Sequence, residues 1–189
     1  MEGIGKNIMN KRKQVANELV ELMEKVDDKQ VEEFKTIIEN SNRIFTAGMG
    51  RSGFMMRGFA MRLMHMGYKT YVVGETTTPA ILEGDLLVLG SGSGKTSSLV
   101  AMAKKAKEMG AKIALISSND KEGIAEVADC IVKVETQAKD KSDSGKSIQP
   151  MGTLFEQGLL LICDSVILDL MEDIDTDGAE MYKNHANLE

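Results

Sequence analysis

Cysteine, histidine, long apolar runs and basic clusters are all scarce in this chain, and each scarcity removes a class of protein. The two cysteines, Cys130 and Cys163, have no motif spacing, so structural zinc is not expected and both read as small buried hydrophobes. No apolar stretch reaches the roughly 18 residues that a membrane span requires. The opening MEGIGKNIMNKRKQ carries lysines without the apolar segment of a secretion signal. The expectation is a cytoplasmic protein with no membrane contact. The formal net charge is −6 and there is no long basic run, which argues against a nucleic-acid surface and means that any bound anion must be held locally. What remains is a chain of 189 residues, expected to form one domain with a full core. The fourteen methionines fall mostly at helical spacing beside Leu and Phe and read as packing.

Residues 7–40 place Ile8, Val15, Leu19, Leu22, Met23 and Val26, then Val31, Phe34, Ile37 and Ile38, at helical spacing around DDKQ. Two helices follow, the second capped by Asp27 or Asp28. The pattern then changes to short β-prone runs separated by helices: RIFTA (43–47), KTYVV (69–73), DLLVLG (85–90), KIALIS (112–117) and CIVKV (130–134). Such alternation predicts an α/β fold with a five-stranded parallel sheet and helices on both faces, a three-layer α-β-α sandwich, for which the expected doubly wound order is the flavodoxin-like 2-1-3-4-5. Met109-Gly110-Ala111 reads as a helix end, and Thr78-Pro79 as a helix start with proline in the first turn. The polar stretch 135–150 reads as a loop or lid. TLFEQGLLLICDSVILDLM is apolar almost all round, so that helix should be buried under the sheet or in a subunit interface. The 189 residues thus divide into N-terminal helices (1–40), the sheet with its loops (43–135) and a buried helix with a C-terminal tail (150–189).

Two glycine loops imitate nucleotide motifs. GSGSGKTSS ends like a triphosphate loop, but the position five before Gly94 is Leu89, so the loop is one residue short. The matching acid, Asp164 in LLLICD, lies in a helical segment. After the first strand, Gly48, Gly50 and Gly53 satisfy G-x-G-x-x-G, and Glu75 stands where a dinucleotide site wants an acid. Against that reading stands the second loop, Ser91-Gly92-Ser93-Gly94-Lys95-Thr96, with more small hydroxyls than a dinucleotide site needs. In a 2-1-3-4-5 sheet the first and third strands are neighbours, so both loops open into the crevice at the topological switch point. Each leads into a helix N-terminus suited to an anion such as phosphate. Gly50, Arg51 and Ser52 in the first loop, and Ser91, Gly92, Ser93, Gly94 and Thr96 in the second, are the candidate binding residues. Ser91, Ser93 and Thr96 can equally cap the following helix. Arg51 is ill-placed for the helix dipole, which points to a ligand or to a role in steadying the loop.

With both loops considered, the chain resembles the sugar isomerase (SIS) domain family and, within it, the 6-phospho-3-hexuloisomerases. The likeness is carried in order by GMGRSGF, RLMHMGYKTYVVGETTTPAI, LGSGSGKTSSLV, QPMGTLFEQ and the terminal NHANLE. It implies a metal-independent and cofactor-free exchange of 3-hexulose 6-phosphate with fructose 6-phosphate. It also implies a homotetramer with active sites near subunit interfaces, and coupling to a 3-hexulose-6-phosphate synthase. Two positions depart from the family pattern. Lys95 stands where glutamate is usual, either adding charge beside the phosphate or pointing to solvent, and Asn184 stands where arginine often precedes the terminal histidine.

Moving a carbonyl from C3 to C2 requires removal of the C2 proton, a cis-enediol and return of a proton to C3, which one base within reach of both carbons can perform. Thr153-Leu154-Phe155-Glu156 has the spacing of a capping box, in which the glutamate bonds its own helix start. The resemblance instead makes Glu156 the base, and a carboxylate near a helix start stays ionised. His185, in a polar tail, is by itself a solvated residue. The resemblance makes it a catalytic group that opens the sugar ring or shuttles a proton, in a site expected to be a neighbour's. His65 reads as a supporting residue. A dinucleotide-dependent oxidoreductase, an isomerase of another sugar phosphate and a non-catalytic sugar-phosphate binder remain the alternatives.

Overall fold

The structure is a computed structural model that describes residues 2–136 and 147–188, with side chains from residue 10 onward. Two helices lead the chain, α1 (Glu2–Met23) and α2 (Asp28–Glu39). The cap of α2 is Asp27, whose carboxylate accepts the Lys29 N–H at 2.9 Å. There follow β1 (Ile44–Gly48), α3 (Gly50–His65), β2 (Thr70–Val72), β3 (Leu86–Gly90), α4 (Ser97–Glu108), β4 (Lys112–Ser117) and β5 (Cys130–Lys133). The long α5 (Thr153–Asp173) and the short α6 (Gly178–Tyr182) complete the described elements. The strands are all parallel, as the alternating pattern predicts, and lie in the expected doubly wound order β2-β1-β3-β4-β5. Gly48 at the end of β1 is level with Gly90 at the end of β3, so the two glycine loops leave the sheet side by side.

Strand alternation divides the core in two. Ile44, Leu86, Val88, Ala114, Ile116 and Val132 meet the helices α1, α2, α3 and α5 through Leu22, Phe34, Ile38, Phe59, Leu63, Phe155 and Leu159. Phe45, Leu87, Leu89, Ile113 and Leu115 point the other way, onto Leu99, Ala103 and Ala106 of α4 and Ile124. Because parallel strands are buried on both faces, they read as continuous apolar runs rather than alternating ones. Both cysteines lie in this core. Burial pushes the Cys130 thiol up to about 11 and raises Cys163 further still, so neither is a nucleophile at neutral pH.

Two expectations need correction. No helix starts at Thr78-Pro79: β2 connects to β3 through an irregular segment. Its polar groups are taken by long-range partners. Thr78 Oγ1 donates to the Val72 carbonyl at 2.6 Å and the Ala80 carbonyl accepts from Arg43 at 3.0 Å. The Leu82 N–H donates to Asp85 at 2.7 Å, and Asp85 is itself bound at both oxygens by Arg43. Likewise β4 reaches β5 through a single 3-10 turn, Gly123–Glu126, so the alternation of strand and helix is incomplete and α4 is the only described α-helix on its face. The methionines divide: Met56 is buried and Met23, Met55, Met66, Met102, Met171 and Met181 pack against the core, as their spacing suggests, whereas Met49, Met61, Met64, Met109 and Met151 are exposed. The apolar circumference of α5 has a matching explanation: one side lies under the sheet, while Leu161 and Leu168 face outward. They lie on the helix that packs against α3, whose own Phe54, Met61 and Met64 are also exposed.

Candidate active site

A cleft of about 550 Å³ opens at the carboxyl ends of the strands, lined by Met49, Ser52, the segment Gly90–Ser93, Lys95, Thr96, Leu99, Ser118, Asn119, Thr136, Gly152 and Phe155. Three of these residues, Met49, Thr96 and Gly152, hold the N-cap positions of α3, α4 and α5, and none makes a side-chain capping bond. The first backbone N–H groups of a helix have no partner within the helix. Three helices of at least 12 residues therefore aim donors and positive dipole ends at one cavity, the arrangement that binds an anion.

The loops take this shape for identifiable reasons. A Cβ on Gly53 would lie 2.6 Å from the Gly48 carbonyl oxygen, so the G-x-G-x-x-G pattern records how closely α3 crosses the end of β1. In the second loop, Gly94 has φ +66, a left-handed conformation that glycine adopts without steric cost. Ser91 Oγ accepts the Gly94 N–H at 3.2 Å and Ser93 Oγ accepts the Lys95 N–H at 3.3 Å. Those hydroxyls shape the loop itself, and the helix-capping alternative fails for all three hydroxyl residues. Thr96 occupies the N-cap without capping, and Ser91 and Ser93 bond within the loop. Opposite, Asn119 Nδ2 donates to the Ser93 carbonyl at 3.0 Å, locking the loop after β4 against the loop after β3.

Of the expected binding residues, Ser52, Ser91, Gly92, Ser93 and Thr96 line the cleft, while Gly50, Arg51 and Gly94 flank it in the same loops. Glu156 lies one residue beyond the lining Phe155 and is buried, at 4 % exposure. It is held by Arg51, whose guanidinium donates to Oε2 at 2.7 Å and to Thr153 Oγ1 at 3.1 Å. The capping-box reading is overturned: Gly152 is the N-cap of α5, Thr153 is already helical, and Thr153 Oγ1 donates to the Pro150 carbonyl at 2.7 Å. The dinucleotide reading loses support at its acid, since Glu75 is not among the residues lining the cleft and instead lies beside Arg57 of α3.

His185 is elsewhere in the chain. Its ring stacks on His65 at 5.4 Å and on Tyr182 at 5.5 Å, beside a second cavity of about 370 Å³ that includes Arg62 and Asp164. His65 ends α3, whose 16 residues span roughly 20 Å at 1.5 Å per residue, and the cleft is at the opposite end. Asn184 anchors the tail there, donating from Nδ2 to the His65 carbonyl at 2.9 Å. Burial, then the charges of Arg62 and His185, holds His65 below its ordinary pKa.

Sequence reasoning missed Ser118, Asn119 and Thr136, although Ser117-Ser118-Asn119 at the end of the fourth strand was the available signal. It also missed Glu18 of α1, which accepts from the Ile148 N–H at 2.7 Å, Ser147 Oγ at 2.9 Å and Gln149 Nε2 at 3.0 Å. Burial pushes Glu18 up, but those three bonds outweigh it and hold the carboxyl below its usual range. The expected loop at 135–150 is irregular where it is described; residues 137–146 lie outside the described residues. Among the described residues no group of three or more His, Cys, Asp and Glu is placed to hold a metal ion, and no helix is long and apolar enough to cross a membrane.

A parallel sheet of this order puts its ligand crevice at the switch point between β1 and β3, where both glycine loops open. The SIS domain model matches residues 37–161, and the chain belongs to the SIS domain family. A protein named 3-hexulose-6-phosphate isomerase from Bacillus subtilis is 46 % identical over 93 % of this chain and 96 % of its own. Another of that name from Mycobacterium gastri is 41 % identical over 98 % and 94 %. A solved structure from Methanococcus jannaschii, described as inferring 3-hexulose-6-phosphate isomerase function, superposes with a TM-score of 0.82. It is 37 % identical, covering 95 % of this chain and 99 % of that one.

Proposed function

We propose that this protein is a sugar-phosphate isomerase that interconverts 3-hexulose 6-phosphate and fructose 6-phosphate. The observation that carries the proposal is the convergence of three helix starts without side-chain caps on one cleft, with the buried Glu156–Arg51 pair beside it. The helix N-termini and the hydroxyls of Ser91, Ser93 and Thr96 hold the phosphate. Glu156 takes the C2 proton of the 3-hexulose to give a cis-enediol and returns a proton to C3. Arg51 orients its carboxylate, so that one oxygen pair serves both carbons on one face.

Within its own chain His185 is about 20 Å from this cleft by the length of α3, so in this reading it acts in a neighbour's site, opening the ring or moving a proton between the enediol oxygens. The outward apolar residues Phe54, at 65 % exposure, and Leu168, at 60 %, with Met61, Met64 and Leu161, form a face suited to a second copy of the chain. The homotetramer, the cytoplasmic location and the coupling to a 3-hexulose-6-phosphate synthase belong to the same proposal.

The test is hydrogen exchange of fructose 6-phosphate in deuterated water, followed by NMR with no added metal or nucleotide. Loss of the C3 proton, with deuterium at C2 of a newly formed 3-hexulose phosphate, is the expected result. Binding without exchange refutes this reaction and leaves a sugar-phosphate binder or an isomerase of another sugar.

A further inference from the structure

Among the described residues lining the cleft, Lys95 is the only charged one, yet its charge is already engaged. Its Nζ lies 2.5 Å from Glu122 Oε2, and both side chains are more than half exposed. An ion pair so open to water is weak and easily exchanged. Glu122, by contrast, stands on a fixed backbone. Asn119 Oδ1 accepts its N–H at 3.4 Å, Asn119 Nδ2 donates to its carbonyl at 3.3 Å, and the Ile124 N–H donates to the Gly94 carbonyl at 3.0 Å. A Cβ on Gly123 would come within 2.4 Å of that same Gly94 oxygen. The Glu122 backbone is therefore anchored at the rim of the loop that carries the lysine, and the two loops are bonded directly to each other.

We propose that Lys95 is a phosphate-recognition residue whose resting partner is Glu122, so that the substrate's phosphate competes with that carboxylate for the lysine. The inference deepens the sugar-phosphate reading and rests on it. A dianionic phosphate, already favoured by the three helix starts, out-competes a single carboxylate, and the ammonium adds a charge-assisted contact. A weaker anion does not displace Glu122. The pair thus acts as a filter for phosphorylated ligands over carboxylates, and it keeps an otherwise electropositive cleft from filling with arbitrary anions.

The two halves of the pair should respond with opposite signs. With calorimetric titration of fructose 6-phosphate and of inorganic phosphate, Lys95→Met should weaken binding by about tenfold, the size of one lost charge-assisted contact. Glu122→Gln should tighten both by about threefold, because the competitor is gone, and should raise the affinity for acetate relative to phosphate. If the pair is only a tether between the loops, the two substitutions weaken binding alike or leave it unchanged, and the inference is overturned. Should the unsubstituted protein bind neither ligand, the sugar-phosphate reading fails together with this one. Binding by the unsubstituted protein with Lys95→Met unaffected sinks the Lys95 role alone.

Discussion

Glu156→Gln separates the two jobs a buried glutamate at a helix start can do. Glutamine keeps the volume but neither ionises nor accepts a proton, so a general base is lost while the packing of α5 is retained. Loss of a positioned base costs about 10²–10⁴ in rate, or roughly 3–5 kcal/mol of barrier. The effect on folding should be small. The Glu156 side chain is 6 % exposed, but its partner Arg51 is 53 % exposed, so the guanidinium rehydrates instead of being stranded. Discounted for that screening, the cost is about 1 kcal/mol, a fall in melting temperature of roughly 2–4 °C for a chain of this size. Binding should change little, because the phosphate contacts proposed above lie in the loops at Ser52 and Ser91–Thr96. The assay combines C3 proton exchange of fructose 6-phosphate, its calorimetric affinity and a thermal melt. A collapse of exchange, with affinity within about threefold, fits the base. If affinity and exchange fall in parallel, or the melt drops by tens of degrees, Glu156 is a structural residue and the mechanism is wrong.

Removing residues 185–189 should cut turnover by at least about tenfold with little change in melting temperature, since Asn184 and its bond to the His65 carbonyl remain; a fully active truncation refutes a catalytic tail. His65 carries a pH signature. Its folded pKa lies below the ordinary 6.5, so the unfolded chain takes up the proton more readily. Its contribution is complete above about pH 6.5 and is lost as the pH falls below that value. The difference in melting temperature between the parent and His65→Asn should therefore shrink between pH 7.5 and 5.5, and a constant difference would count against the buried neutral ring. Gly53→Ala places a methyl group 2.6 Å from the Gly48 carbonyl oxygen and should cost about 1–3 kcal/mol, seen as a melting temperature several degrees lower. An unchanged melt would mean that α3 can move away from β1.

Legibility in the sequence followed the range of the forces involved. The strands could be read because each is a short apolar run between polar or glycine-rich segments, and the central three, β1, β3 and β4, are buried on both faces. The connection after β2 could not. Pro79 in a run ending in glycine looks like a helix start, and only the long-range grip of Arg43 and Asp85 on Ala80 and Leu82 makes it irregular. The exposed methionines could not be told from the core ones for a related reason. Met61 and Met64 repeat at helical spacing like core residues, but the face they form looks away from the sheet. In the site, Ser52, Ser91, Ser93 and Thr96 were legible because loop glycines announce a close backbone approach. The partners of Glu156 were not, since Arg51 is 105 positions away and no local pattern records it.

The same distinction explains why the chain imitates two nucleotide motifs. G-x-G-x-x-G requires a strand to turn sharply into a closely packed helix, and Gly48 and Gly53 satisfy that requirement here through their own contact. A glycine pattern specifies the path of a backbone; the ligand is chosen by the groups that path brings together. Among the described residues of this cleft they are three helix N-termini, several hydroxyls and one lysine. Glu75, the acid that would read a ribose, is not among the residues lining it. A single compact phosphate fits that set of donors. Weaker phosphate binding in Lys95→Met, with no nicotinamide signal at any concentration, would be the outcome consistent with both halves of that argument. Saturable binding of a nicotinamide dinucleotide in the cleft would contradict it.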